Sequence, residues 1–267
     1  MKTQKEKPAI GQTIWFKVFL TILIFVPPIS QLSYQSTNSS AVIASVLSHP
    51  LAVTIPLLLP LAKLLLLAVV VIPFIGHKNS AALLIGYYGA LLLISGVFEN
   101  MAQTSHYGFV WLIGNTLVQS ISAVFCFCTI AKHKSKIDLS CLNIKRIWVV
   151  IPMLLAFFMP YSLDTQNVVH PAFTLAIFTN EAGVTYCMIT PVILGVMILF
   201  SKDIDKPLLS VLSYTGLLFG LLNMITWFAL QNQNWWMGVL HLPLLILSFY
   251  GLLLAHKEKA QPIQKPL

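Results

Sequence analysis

Long apolar runs alternate along the chain with short polar connectors. Within each run the apolar residues are continuous rather than placed at every second position, which favours helix over strand. A helix needs about 20 such residues to cross a hydrocarbon core of about 30 Å. Eight segments approach that length: Ile14–Ile29, Leu51–Gly76, Ala81–Phe98, Phe109–Ala131, Ile147–Leu163, Gly183–Ser201, Pro207–Leu230 and Trp235–Ala255. In lipid, a helix satisfies all its backbone groups within one segment. The pattern therefore predicts an all-α, polytopic integral membrane protein with eight transmembrane helices.

The connectors sort by charge. Lys2, Lys5, Lys7 and Lys17 precede or open the first segment, and Lys78 follows the second. Lys132, Lys134, Lys136, Lys145 and Arg146 follow the fourth, Lys202 and Lys206 the sixth, and Lys257, Lys259 and Lys265 the eighth. These are alternate connectors, so they share one side, and the four connectors on the other side contain no Lys or Arg. Positively charged loops stay cytoplasmic, which places both termini in the cytoplasm of an inner or cell membrane. The basic stretch Lys132–Arg146 is suited to anionic lipid head groups.

The order of unusual letters repeats. Ile14-Trp15…Phe25-x-Pro27 is echoed by Ile147-Trp148…Phe158-x-Pro160, and Val53-Thr54…Pro60 by Val184-Thr185…Pro191. Tyr87-x-Gly89-x-Leu91 is echoed by Tyr214-x-Gly216-x-Leu218, and His133-Lys134-x-Lys136 by His256-Lys257-x-Lys259. The offsets fall steadily from 133 through 131 and 127 to 123, as a second copy with shorter connectors would give. The expected organisation is a tail over 1–13, a first four-helix repeat over 14–136, a basic connector over 137–146, a second repeat over 147–259 and a tail over 260–267. Four helices per copy is an even number, so the two copies share one orientation, as in parallel-repeat transporters. The first segment has the basic start and short apolar run of a signal peptide. Pro27, Pro28 and Ile29 follow it instead of a small-x-small cleavage site, and it belongs to the repeat, so it is expected to be retained.

Composition narrows the class. The chain is 57% hydrophobic and 9% charged, against about 25% charged in soluble domains, which excludes a soluble enzyme, a disordered chain and a coiled coil. Its net charge of +8 lies in the connectors, so no nucleic-acid partner is expected. The expected partners are membrane lipids and a further membrane protein. The four cysteines Cys126, Cys128, Cys141 and Cys187 imply no disulfide framework.

Polar groups inside apolar helices are the first candidates for function. Lys63 lies mid-segment in Leu61-Ala62-Lys63-Leu64, where a charge costs about 2.5–3.5 kcal/mol and calls for a partner or water. Its repeat counterpart is Leu194. Counting rise per residue, Lys63 and Glu99 both fall in the outer half, at about 20 and 27 Å from the inner ends of their helices, so an ion pair between them is expected. Pro56 and Pro60 should kink the second helix, and Pro191 the sixth. Asn115 and Gln119 share a face four residues apart, and Asn223 with Thr226 occupies the seventh helix; such amides seek interhelical hydrogen bonds. Gly216-x-x-x-Gly220 permits close helix contact. Lys63, Glu99, Asn115, Gln119 and Asn223 form the candidate set for substrate binding or proton relay.

A second set lies on the outer side. Glu99, Asp164 and Glu181 fall there, with His49, His106, His170 and His241. Imidazole with carboxylate suits zinc, copper or iron, so His49, His106, His170, Glu181 and His241 form a candidate metal set. No HxxxH or HExxH spacing accompanies it, and the cofactor is unknown. The outer connectors carry aromatic-belt residues Tyr107, Trp235 and Trp236 and a sequon at Asn38-Ser39-Ser40. The connector from Asp164 to Glu181 is long and partly apolar, and is expected to lie in the interface or re-enter the bundle. The leading functional expectation is a small transporter or translocation subunit with an outward-facing polar cavity near Lys63 and Glu99. One alternative is a non-catalytic assembly, immunity or sensor subunit of a membrane complex. Another is a membrane-embedded metal- or haem-dependent enzyme using the outer His and carboxylates.

Overall fold

A computed structural model describes residues 9–47, 51, 54–166 and 168–257. Among these the chain is mostly helical: α1 Ile14–Ile24, α2 Ser39–Leu47, α3 Leu58–Val71, α4 Ser80–Phe98, α5 Ile113–Ala131, α6 Val150–Phe158, α7 Tyr186–Leu199, α8 Lys206–Met224 and α9 Trp235–Lys257. Five spans among the described residues are long and apolar enough to cross a membrane: Leu58–Ile75, Ser80–Phe98, Ile113–Ala131, Lys206–Leu230 and Asn232–Lys257. A sixth is broken: the 3-10 turns of Leu175–Gly183 meet α7 at 92°. Large apolar side chains such as Trp15, Leu57, Leu64, Ile75 and Ile151 stand on the outside of the bundle, where a bilayer would cover them.

Several expected segments are shorter than their hydropathy suggests, and prolines account for this. α1 has 11 residues and stops before Pro27 and Pro28. α6 has nine, preceded by a 3-10 turn over Ile144–Val149, and ends at Met159 in the left-handed region (φ 45°) just before Pro160. Pro56 precedes α3, and Pro60 is its third residue, where the backbone lacks an intrahelical partner in any case. The expected kink of the second helix is therefore a helix start. Pro191 does lie within α7.

α7 is the shaft of the bundle. Every residue of it except Cys187 is buried, and α3, α4, α6, α8 and α9 pack around it. A helix apolar on all sides belongs at such a centre. Its C-terminal end is held by cations: Arg146 Nη1 donates to the Ile198 carbonyl at 3.2 Å and to Ser201 Oγ, and Lys206 Nζ donates to the Ser201 carbonyl at 2.6 Å. Positive charge at a helix C-terminus is stabilising, so these two basic residues hold the end of α7. α8 starts on Asp205, whose carboxylate accepts from the Leu208 amide at 3.2 Å, with Pro207 in the first turn. α8 and α9 approach closely where Gly216 lies against Ser248 and Gly251 against Ser213.

The two ends of the bundle differ. At one end the basic connectors converge. The Lys136 amide donates to the Asp203 carbonyl, the Asn143 amide to the Leu199 carbonyl, and Gln12 Nε2 to the Ala255 carbonyl. At the other end lie two small antiparallel sheets. One has the order β1-β3-β2, with β1 Ile29–Ser30, β2 Met101–Thr104 and β3 Gly108–Trp111. The other pairs β4 Tyr161–Leu163 with β5 Val169–Pro171. α2 rests on the first sheet through Val42 and Val46, which share a small core with Ala102, Val110 and Leu112.

Candidate functional site

The break before α7 is built by residues from three elements. Lys63 is 3% exposed, and its ammonium donates to the Ile177 carbonyl and to Asn180 Oδ1, 5.5 Å from the Phe157 ring centroid. Asn180 is a crosslink: its Nδ2 donates to the carbonyls of Phe158 and Met159 at 2.9 and 3.0 Å, and its Oδ1 also accepts from the Ala182 amide. The irregular end of α6 is thereby tied to the irregular start of α7. Glu181 accepts from the Tyr161 hydroxyl at 2.5 Å and is the acid within electrostatic reach of Lys63. Gly183 lies against the backbone of Ala62 and Lys63.

Glu99 takes a different place from the one its height suggests. Its Oε2 accepts from the Tyr186 amide at 2.8 Å, at the first residue of α7. A carboxylate at a helix N-terminus meets the positive end of the helix dipole. The expected Lys63–Glu99 pair is therefore replaced by two separate arrangements, an ammonium on the re-entrant turn and a carboxylate on the helix that follows it.

Next to Glu99 opens a cavity of about 770 Å³. Its roof is α2, presenting Ser40, Ala41, Ala44 and Ser45. Its polar wall is Asn115 of α5 with Asn223, Thr226, Trp227 and Gln231. Asn115 Nδ2 donates to Asn100 Oδ1 at 2.9 Å. Asn223 Nδ2 donates to the Phe219 carbonyl at 2.9 Å and reaches Cys187 Sγ at 3.5 Å, while its Oδ1 accepts from Trp227 Nε1 at 3.1 Å. Glu99 stands behind this wall, since the partners of the two amides, Asn100 and Cys187, are its chain neighbour and the neighbour of Tyr186. α8 ends here in a π-helical turn over Ile225–Leu230. Such turns are rare and recur at functional sites.

Of the candidate relay residues, Asn115 and Asn223 line the cavity, Glu99 backs it, and Lys63 lies at the re-entrant turn. Gln119 is buried in packing, accepting from Ser95 Oγ at 2.9 Å. Among the described residues, the outer His do not converge. His170 donates to Asp164 at 3.1 Å, within a turn where the Val168 amide, and then His170, holds the Asp164 carboxyl below its usual range. His106 stacks edgewise on Tyr107. His241 is buried, donating through Nδ1 to the Met237 carbonyl at 2.7 Å and packing near Trp227. His49 lies outside the described residues. Among those described, no group of three or more His, Cys, Asp or Glu could hold a metal ion.

The residues that sequence reasoning passed over are Asn180, Asn100, Tyr161 and Trp227. Trp227 alone carried a signal: it follows Asn223 by four positions and so shares its helix face. No family model, curated protein or solved structure matches this chain.

Proposed function

We propose that this multi-pass membrane protein is a small transporter or translocation subunit, working through the cavity between α2, α5 and the end of α8. One observation carries the reading: a span broken at 92°, whose N-terminal Tyr186 amide meets the Glu99 carboxylate, with Asn100, its chain neighbour, bonded to Asn115 in the amide wall of the cavity of about 770 Å³. Broken helices with exposed N-termini beside a cavity are how transporters build substrate and coupling-ion sites within lipid. Glu99 is the group whose charge state would bias the position of α7.

The crossing count and the orientation belong to the same proposal. α1 and α6, extended by their flanking turns, complete eight crossings in two parallel copies. Supporting this, each is followed by a short strand (β1 and β4), and α4 packs along α5 as α8 packs along α9. The basic end faces the cytoplasm of the cell membrane, because Lys and Arg are retained on that side.

A transporter must expose its cavity to both sides of the membrane, and a fixed structural subunit need not. With the native cysteines replaced, Thr226→Cys in vesicles of known orientation is expected to react with a membrane-impermeant maleimide from either side. Glu99→Gln is expected to change the ratio of the two labelling rates by about tenfold, within the usual range of coupling energies. Labelling from one side alone, in both backgrounds, overturns the reading.

A further inference from the structure

We infer that the cavity takes a neutral amphipathic molecule, a single apolar chain bearing an uncharged, hydroxyl-rich head. This deepens the transport reading by naming the substrate class of the same site. The first support is charge. Among the described residues lining the cavity there is no Asp, Glu, Lys, Arg or His. A charged ligand would find no opposite charge on this described lining.

The second support is the division of the lining. Amide and hydroxyl groups from Asn115, Asn223 and Thr226 gather on the α5 and α8 wall, while Ile24, Ile43 and Leu222 supply apolar surface. Asn115 bonds Asn100 through one N–H only, and Asn223 Oδ1 and Thr226 Oγ1, the latter donating to the Leu222 carbonyl, still have lone pairs to accept with. A lining that can both donate and accept matches hydroxyl groups better than carboxylates or ammonium ions, each of which only accepts or only donates. The third support is room made by sequence. α2 turns Val42 and Val46 into its contact with the sheet and leaves Ala41, Ala44, Ser40 and Ser45 on the cavity side. Small residues at these i and i+4 positions keep open a volume of about 770 Å³, within the range of small-molecule sites of about 300–1,000 Å³. The π-helical turn completes the design. It closes with the Gln231 amide on the Thr226 carbonyl at 2.7 Å, carrying Thr226, Trp227, Leu230 and Gln231 into one wall.

The test uses the full chain in nanodiscs and three photoactivatable probes of one chain length: a monoacylglycerol, a fatty acid and an alkyl trimethylammonium. The monoacylglycerol is expected to label peptides containing residues 40–47 and 222–231 at least about tenfold more than either charged probe. Ala44→Trp, which fills the roof side, is expected to abolish that labelling. Asn223→Leu, which keeps the volume and removes the amide, is expected to lower it about tenfold while a thermal melt confirms folding. Equal labelling by all three probes, or undiminished labelling in Asn223→Leu, overturns the ligand class. Two-sided maleimide access with equal probe labelling leaves transport standing and removes only this inference. One-sided access with selective labelling does the reverse.

Discussion

Lys63→Met is expected to release the re-entrant turn of Leu175–Gly183 while the rest of the bundle stays folded. The side chain is 3% exposed, and its ammonium serves two acceptors from that turn, the Ile177 carbonyl and Asn180 Oδ1. Hydrogen bonds from a charged donor are worth about 1.5–3 kcal/mol each. Against this, methionine avoids the cost of holding a charge at membrane depth, about 2.5–3.5 kcal/mol. The two terms largely offset for the whole protein, and about 1–2 kcal/mol of net destabilisation is expected. The local balance differs. The half-buried Ile177 carbonyl loses its ammonium donor, and an acceptor left unpaired away from water costs up to about 1–3 kcal/mol unless the turn moves toward water. Labelling of Ala182→Cys, at a fully buried position of the turn, by a soluble maleimide is therefore expected to rise about tenfold in the Lys63→Met background, which corresponds to about 1.4 kcal/mol. An unchanged labelling rate would show that the turn is held by Asn180 and the α6 end alone.

That same side chain shows what could and could not be read from the chain alone. Lys63 stood out because an ionisable residue within an apolar run is rare. Its partner could not be found by the same route, since one acceptor is a main-chain carbonyl, which leaves no mark in the sequence. The other, Asn180, is 117 positions away and looked like an ordinary loop residue. The long spans followed directly from hydropathy, and α4, α5, α8 and α9 begin and end within a few residues of expectation. Hydropathy failed where proline or a left-handed residue ended a helix early, as at Pro27 and at Met159. It also failed at Phe109–Trp111, which is strand rather than helix. Two- to four-residue strands are too short to show any period. Pro60 and Pro191 align in the proposed repeat yet act differently, one in a first helical turn and one inside the central helix. Asn115 and Asn223 were visible as polar residues among apolar ones. That they face one cavity depends on how α5 packs against α8, and that Thr226, Trp227 and Gln231 join them depends on the π-helical turn, whose register no local pattern announces.

Gly183→Ala should be the most damaging single-methyl change in the chain's re-entrant region. A Cβ at this position would stand 2.7 Å from the Lys63 amide nitrogen and 3.0 Å from both the Ala62 carbonyl carbon and the Lys63 Cα. All three atoms belong to the backbone of α3, so no rotamer change can relieve the contact. The helix itself must shift, and overpacking of this kind costs about 1–3 kcal/mol. The shift also carries the Lys63 ammonium away from Ile177 and Asn180, adding the loss of charge-assisted hydrogen bonds of about 1.5–3 kcal/mol each. A total near 3 kcal/mol follows if the shift breaks one of them. Gly86→Ala is the control: its Cβ would meet only Ile130 Cδ1 at 3.4 Å, an ordinary contact within α4, where alanine is the better helix former by about 1 kcal/mol. In detergent melts, Gly183→Ala is expected to unfold well below the parent protein and Gly86→Ala at or slightly above it. Adding Lys63→Met to Gly183→Ala should cost less than the sum of the two single changes, because both act on the same contact between α3 and the re-entrant turn. Additive losses would mean that the glycine and the lysine stabilise the turn independently, and would remove Lys63 from its role in holding the broken span.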